Sequence, residues 1–198
     1  MTLFFKQLQR HGDNFSYIIA DKDMKEAAIV DASYNARELE KIITTHRLTL
    51  KYIVNTHGHA DHVEGNSELK TLFGAKIVGY KLTKANIDLK VDDGEVLTIG
   101  KTIIKIIYTP GHTTDSICLL IDDKKLLTGD TLFVDECGRT DLPGGSAKSL
   151  YDSLFNKLLK LHGEVEVYPG HDYGLKQSST MQEQKNTNYV LQPRSLRD

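Results

Sequence analysis

A layered α/β (or α+β) fold in a single domain is what this sequence predicts, and three observations carry it. The chain has 198 residues, enough for one domain with a real core but cramped for two. Short runs rich in β-branched and aromatic residues recur along it, with amphipathic helical runs interspersed. No internal repeat and no linker interrupts the pattern, so residues 1–198 read as one unit.

Taken in order, "FSYIIA" (15–20) and "AAIVDAS" (27–33) predict short strands. "YNARELEKIITTH" (34–46) sets Ala36, Leu39, Ile42, Ile43 and His46 at helical spacing, with Ser33 available as the cap. "LKYIVNT" (50–56) is the next strand and runs straight into a histidine cluster. "VEGNSELKTLFG" predicts a short helix stopping near Gly74. "KIVGY", "EVLTIG", "TIIKIIYT", "SICLLID" and "KLLTGD" are successive strand candidates. In "SAKSLYDSLFNKLLKLHG" the stripe Leu150, Leu154, Leu158 and Leu161 marks a helix, with Gly163 as its stop. "EVEVYPGH" predicts a last strand, and Thr180 stands at capping-box spacing from Glu183 before a closing helix.

Composition excludes several classes. A formal charge of −2 without a basic stripe leaves no footprint for nucleic acid or an anionic membrane surface. Apolar runs such as "ICLLI" are far too short to span a bilayer. "MTLFFKQLQR" has neither a basic leader nor a small-residue cleavage site, so no signal peptide is expected. Two cysteines make no disulfide framework: Cys118, inside "SICLLI", reads as core, and Cys137 as a small buried hydrophobe. The expected location is cytoplasmic, and a homodimer is left open.

Residues 55–62 read "NTHGHADH", placing His57, His59, Asp61 and His62 within six positions. Packing has no use for such a spacing; metal ligation does. Further metal-grade residues follow β-rich runs: His112 in "TPGHT", Asp130 in "TGDT" and His171 in "YPGHDYG". Taken singly, His112 or His171 would pass for an ordinary strand-end histidine. Yet five of the eight histidines fall in these motifs, and loops on one rim of a sheet can converge on a pocket. In an extended loop His57 and His59 point the same way, while the turn into the next helix swings Asp61 and His62 toward a neighbouring position. One catalytic metal needs about three protein ligands and an open site. Seven candidates suffice for two metals sharing a bridging carboxylate, a pair about 3.5–4 Å apart that can hold a hydroxide and polarise a carbonyl. Imidazole with carboxylate suits zinc, iron or manganese. A purely structural zinc site would close at four ligands. His11, His46 and His162 lie outside the motifs and take no role.

In their order, "THGHADH", "TPGHT", "TGDT" and "YPGHD" resemble the metallo-β-lactamase superfamily. The resemblance implies a four-layer αββα sandwich with metals at one edge of two facing sheets. It implies one metal on His57, His59 and His112, a second on Asp61, His62 and His171, and Asp130 bridging. Asp31, in "AIVDAS", matches the family's first acidic motif, which supports the metal loop; an ordinary turn aspartate is the plainer reading. Asp130 argues against true β-lactamases, and the chain has no room for the inserted domain of the superfamily's nucleases.

The stretch "CGRTDLPGGSAKSLYDSL" (137–154) resembles the glyoxalase II-like and persulfide dioxygenase branches. "HDYG" with "CGRTD" leans to the dioxygenases, "LPGG" to small glyoxalase II-like hydrolases. Only 27 residues follow His171, so the helical C-terminal domain of full-length glyoxalase II is expected to be missing. Arg139 could fork onto a substrate carboxylate or pair with Asp135 or Asp141. Tyr173 could line the pocket or simply pack. The first reading is a two-metal hydrolase acting on a small thioester-like substrate, with Asp61 both ligating and orienting the nucleophile. The second is a mononuclear Fe(II) persulfide dioxygenase using His57, His112 and Asp130. A metal-stabilised binding module is the third.

Overall fold

Alternate side chains of a strand face opposite sides, so a strand that is apolar at every position has both faces covered. Phe15–Asp21 and Ile117–Ile121 are buried at every residue, and each therefore lies between two layers. The computed structural model describes residues 2–9, 12–33 and 36–193. In chain order come β1 (Leu3–Gln9), β2 (Phe15–Asp21), β3 (Glu26–Val30), α1 (Ala36–Thr45), β4 (Thr49–Val54), α2 (Ala60–Val63) and α3 (Asn66–Phe73). Next are β5 (Lys76–Tyr80), β6 (Leu89–Val91), β7 (Val96–Ile99), β8 (Thr102–Tyr108), β9 (Ile117–Ile121) and β10 (Lys125–Gly129). The chain goes on through β11 (Leu132–Phe133), β12 (Glu136–Cys137), α4 (Ala147–Asn156), β13 (Glu166–Pro169), β14 (Ser179–Thr180) and α5 (Met181–Thr187).

One sheet runs β1-β2-β3-β4-β5-β6, the other β14-β13-β10-β9-β8-β7, and β11 and β12 form a small hairpin. Phe15, Tyr17 and Ile19 of β2 meet Ile104, Ile106, Leu119 and Ile121 of the second sheet in a central core. The alternate residues Ile18 and Ala20 pack on Leu39 and Ile43 of α1 and Leu69 of α3. On the far side, Cys118 and Leu120 pack on Leu150 and Leu154 of α4 and Met181 of α5. The result is the expected four-layer αββα sandwich, a single domain with three apolar interlayers. Among the described residues no helix is long and apolar enough to cross a membrane.

Strand direction decides where the chemistry sits. β3, β4 and β5 pair in parallel, so β3 and β4 end on the same rim. β8 and β10 each run antiparallel to β9, and β13 runs parallel to β10, so these three also end together. The turns carrying Asp31, His57, His112, Asp130 and His171 all leave these strand ends.

Several expectations need correction. β1 is not among the strands the sequence predicts, yet Leu3 and Phe5 pack on the central core and Phe4 on the helix side, as alternation requires. The two- and three-residue strands β6, β11, β12 and β14 are too short for periodicity to register. Tyr34 and Asn35 of the expected first helix lie outside the described residues. The buried Ser33 hydroxyl has no hydrogen-bond partner among the described residues, so it makes no cap bond to the helix described from Ala36 on. α4 stops at Asn156, well before Gly163, and passes into a 3₁₀ turn at Leu158–Lys160. The break falls at Lys157, whose backbone leaves the helical region (φ −120°, ψ −66°) and whose ammonium bonds Tyr108 O (2.7 Å) and Asp93 Oδ2 (2.9 Å). The Thr180 cap is present: its hydroxyl accepts from Glu183 N–H at 3.1 Å. Glu183's carboxylate turns instead to the Ser179 hydroxyl (2.9 Å).

Candidate metal centre

All seven sequence-predicted donors meet on that rim. His57 and His59 leave β4 in an extended loop, and Asp61 and His62 lie on the short helix α2. His112 follows β8, Asp130 follows β10 and His171 follows β13. His59 Nδ1 stands 2.9 Å from His57 Nε2 and 3.0 Å from His112 Nε2. His62 Nε2 stands 3.2 Å from His171 Nε2, and Asp61 Oδ2 is 3.6 and 3.5 Å from those two nitrogens. Asp130 reaches both groups: Oδ2 is 3.5 Å from His112 Nε2 and 3.3 Å from His171 Nε2, and Oδ1 is 3.4 Å from His62 Nε2.

The partners on the outer ring nitrogens say which atoms face inward as lone pairs. His112 Nδ1 lies 2.8 Å from Arg139 O, an acceptor only, so Nδ1 carries the hydrogen and Nε2 is bare. His171 Nδ1 donates to Asp13 Oδ1 (3.1 Å), and His62 Nδ1 to Asp31 Oδ2 (2.9 Å). Thr56 spends its hydroxyl hydrogen on Asp31 Oδ2 (2.7 Å), so it accepts from His57 Nδ1 at 3.2 Å. Four imidazoles thus aim bare Nε2 atoms inward, against one another and two carboxylates. The His62 and His171 Nε2 atoms, 3.2 Å apart, and Asp130 Oδ2, 3.3 Å from the latter, repel unless positive charge lies between them. Asp130 Oδ1, buried without a hydrogen-bond partner among the described residues, makes the same demand. Outward N–H groups held by carboxylate and carbonyl are the usual way that metal-binding histidines are oriented. The donor set therefore fits one or two divalent metal ions.

The electrostatics of the protein groups agree. Burial, helped by the neighbouring His62 charge, pushes His57 well below the ordinary histidine range. For His62 burial is outweighed by Asp130 and Asp31, which lift it to about 9. Burial likewise opposes ionisation of Asp130, yet His62 and His171 hold its carboxyl far below the usual range. The pocket's carboxylates call for positive charge, and protons on histidine meet that call where no cation does.

Backbone geometry serves the same end. Asp31 adopts φ +50°, in the left-handed region, and its Oδ1 accepts from Thr56 N–H at 2.8 Å. It thus supports the metal loop, as the acidic-motif reading expects. Gly170 must lack a side chain, because a Cβ there would run into Asp130 Oδ1 and sit 3.1 Å from His62 Cε1.

Asp13 and Asn14 were missed by sequence reasoning. Asp13 holds His171, and Asn14 donates to Asp61 Oδ2 at 3.0 Å. They reach the site because Asn14 bridges to His171 and Phe15 N–H bonds to Gly170 O, joining the start of β2 to the end of β13. Only the polar turn "GDN" signals them, and it names no partner. Tyr173 stands at the mouth, half-exposed, stacked on the His171 ring at 5.0 Å and edge-on to Phe133 at 4.8 Å. Arg139 does not present an open fork: Nε and a terminal nitrogen each bond Asp141 at 2.7 Å. It serves the site through its carbonyl on His112. His46 packs on Phe4 and His162 is an exposed neighbour of Glu164, both away from the site. His11 lies outside the described residues.

An αββα sandwich with two converging His/Asp donor sets on one rim defines a metal-dependent enzyme, hydrolase or oxidase in class. The chain belongs to the metallo-beta-lactamase superfamily, whose model matches residues 10–171. Within it the chain groups with the glyoxalase II and persulfide dioxygenase branch. It is 35% identical to the mitochondrial persulfide dioxygenase ETHE1 of Homo sapiens, over 88% of this chain and 70% of that one. It is 39% identical to a hydroxyacylglutathione hydrolase of Pelagibacter ubique, over 84% and 70%. In structure it is similar to ETHE1 from Myxococcus xanthus, with a TM-score of 0.92 at 33% identity, covering 98% of this chain and 87% of that one.

Proposed function

We propose that this protein is a persulfide dioxygenase, holding one Fe(II) on His57, His112 and Asp130 and oxidising the terminal sulfur of a small persulfide. This reverses the order of the two readings that the sequence suggests. The observation that carries it is the likeness to ETHE1 from Myxococcus xanthus, which runs through nearly the whole chain at a TM-score of 0.92. Two histidines and one carboxylate leave open positions for substrate and oxygen, and Fe(II) bound there would supply the redox chemistry. The chain's own groups hold that triad in one protonation state. Arg139 O fixes the His112 tautomer, Thr56 fixes His57, and the buried Asp130 stays ionised. Tyr173 and Phe133 form an aromatic wall on the His171 side, against which a small persulfide would lie.

The hydrolase is the second reading, with Asp61 as both ligand and orienting group for a bound water. It is favoured by the second donor set, since a mononuclear site has no need of Asp61, His62 and His171 aimed inward together. Oxygen uptake on iron-loaded protein with a low-molecular-weight persulfide, run beside hydrolysis of an acyl-thioester, separates the two. Uptake that survives in large part in His171→Ala, with one iron per chain, is expected. Thioester turnover without oxygen uptake, abolished by His171→Ala, would install the hydrolase instead.

A further inference from the structure

One carboxylate near the metal rim is accounted for by nothing above. Asp115 lies in the turn between His112 and β9 and is only 7% exposed. No hydrogen bond or ion pair joins its carboxylate to any described residue, while ordinary buried carboxylates are paired. Its oxygens open onto a groove of about 280 Å³ whose wall includes His59. A Cβ on Gly58 would come within 3.1 Å of Asp115 Oδ2, so this oxygen stands directly beside the metal loop.

Lys84 lines the same groove, and its ammonium makes no ion pair or hydrogen bond with the described residues. Most of the other lysines that approach a carboxylate in this chain pair with it, as Lys70 does with Asp88 and Lys81 with Asp92. One anion and one cation thus face a single small groove without pairing to each other. Pro143 and Gly144, from the "DLPGG" turn, close its far side against Thr114.

We propose that this groove receives the amino-acid end of the substrate's thiol carrier, Asp115 taking the α-ammonium and Lys84 the α-carboxylate. A zwitterion satisfies both charges at once, whereas a simple anion would leave the buried carboxylate unpaired and repelled. The volume suits a single amino-acid unit, and His59 at its inner end puts the carrier's sulfur toward the metal rim. This proposal deepens the persulfide reading and rests on it for the position of the sulfur.

Equilibrium binding of three thiols to the metal-loaded protein tests it: L-cysteine, cysteamine (no carboxylate) and 3-mercaptopropionate (no ammonium). Each offers a primary thiol to the metal. Because the ammonium-bearing thiols are the more acidic, affinities are compared per thiolate, and each variant against the unsubstituted protein on the same thiol, so that differences report the groove. Cysteine should bind about tenfold or more tightly than either of the others, the size expected for a hydrogen bond to a charged group. Lys84→Met should weaken cysteine and 3-mercaptopropionate and spare cysteamine; Asp115→Asn should weaken cysteine and cysteamine and spare 3-mercaptopropionate. Lys84 is exposed, so its variant keeps the fold should Asp115→Asn fail to. Equal affinity for the three thiols, or variants that weaken all three alike, overturns the subsite, whatever the reaction. The crossed pattern in a protein that turns over neither persulfide nor thioester upholds the subsite and removes the reaction.

Discussion

Asp31 shows how much one side chain can organise. Its two oxygens accept from Thr56 N–H, the Thr56 hydroxyl and His62 Nδ1, and through them orient both His57 and His62. It does so from a left-handed backbone that costs an L-residue roughly 1–2 kcal/mol. Asp31→Asn keeps the size but replaces one acceptor with a donor, which cannot face both the Thr56 hydroxyl and His62 Nδ1–H. Metal affinity should fall about 10–100-fold, with far-ultraviolet circular dichroism unchanged. Competition with a coloured chelator reads this directly, and unaltered affinity would demote Asp31 to the ordinary turn aspartate. Arg139 teaches the opposite lesson: its side chain drew notice in the sequence, but its carbonyl is what touches the site.

Among the elements, α5 depends most visibly on a single local signal. It has only seven residues, and the Thr180 hydroxyl caps its third amide while Met181 anchors it in the outer core. Thr180→Ala should cost about 1 kcal/mol and Thr180→Ser almost nothing. In a chain of this size that is a fall in melting temperature of roughly 2–4 °C. An unchanged melting temperature in Thr180→Ala would mean that Met181 packing alone holds α5. α4 shows the limit of such local reading. Its leucine stripe continues past Asn156, but the backbone leaves the α-helix at Lys157, whose ammonium is bonded to Asp93 and Tyr108 O.

For the whole molecule, the donors come from loops of both sheets: His57 and His59 follow β4 of the first, His112, Asp130 and His171 the second. A bound ion therefore clamps the two halves of the sandwich and stabilises the fold by mass action. Stripping metal with a chelator should lower the melting temperature by several degrees, about what a few kcal/mol of linkage gives at this size. Adding back Fe(II) or Zn(II) should restore it. Identical melting curves with and without chelator would show that the rim is already rigid without an ion.

The sequence by itself determined the layered class, most of the longer strands and the seven candidate donors, because these depend on short-range regularities. Period-two apolar runs mark strands, and "HGHADH" concentrates ligands within one turn of chain. Asp31's supporting role was legible only through a family resemblance. What only the tertiary structure decided is everything that depends on residues far apart in the chain. Asp13 and Asn14 reach His171 and Asp61 across 158 and 47 positions, and Asp115 meets Lys84 across a groove built from four separate loops. Strand direction, not local pattern, brings five strand ends to one rim. The inward lone pairs that call for a cation exist only once each imidazole's outer nitrogen has found its partner in the folded chain.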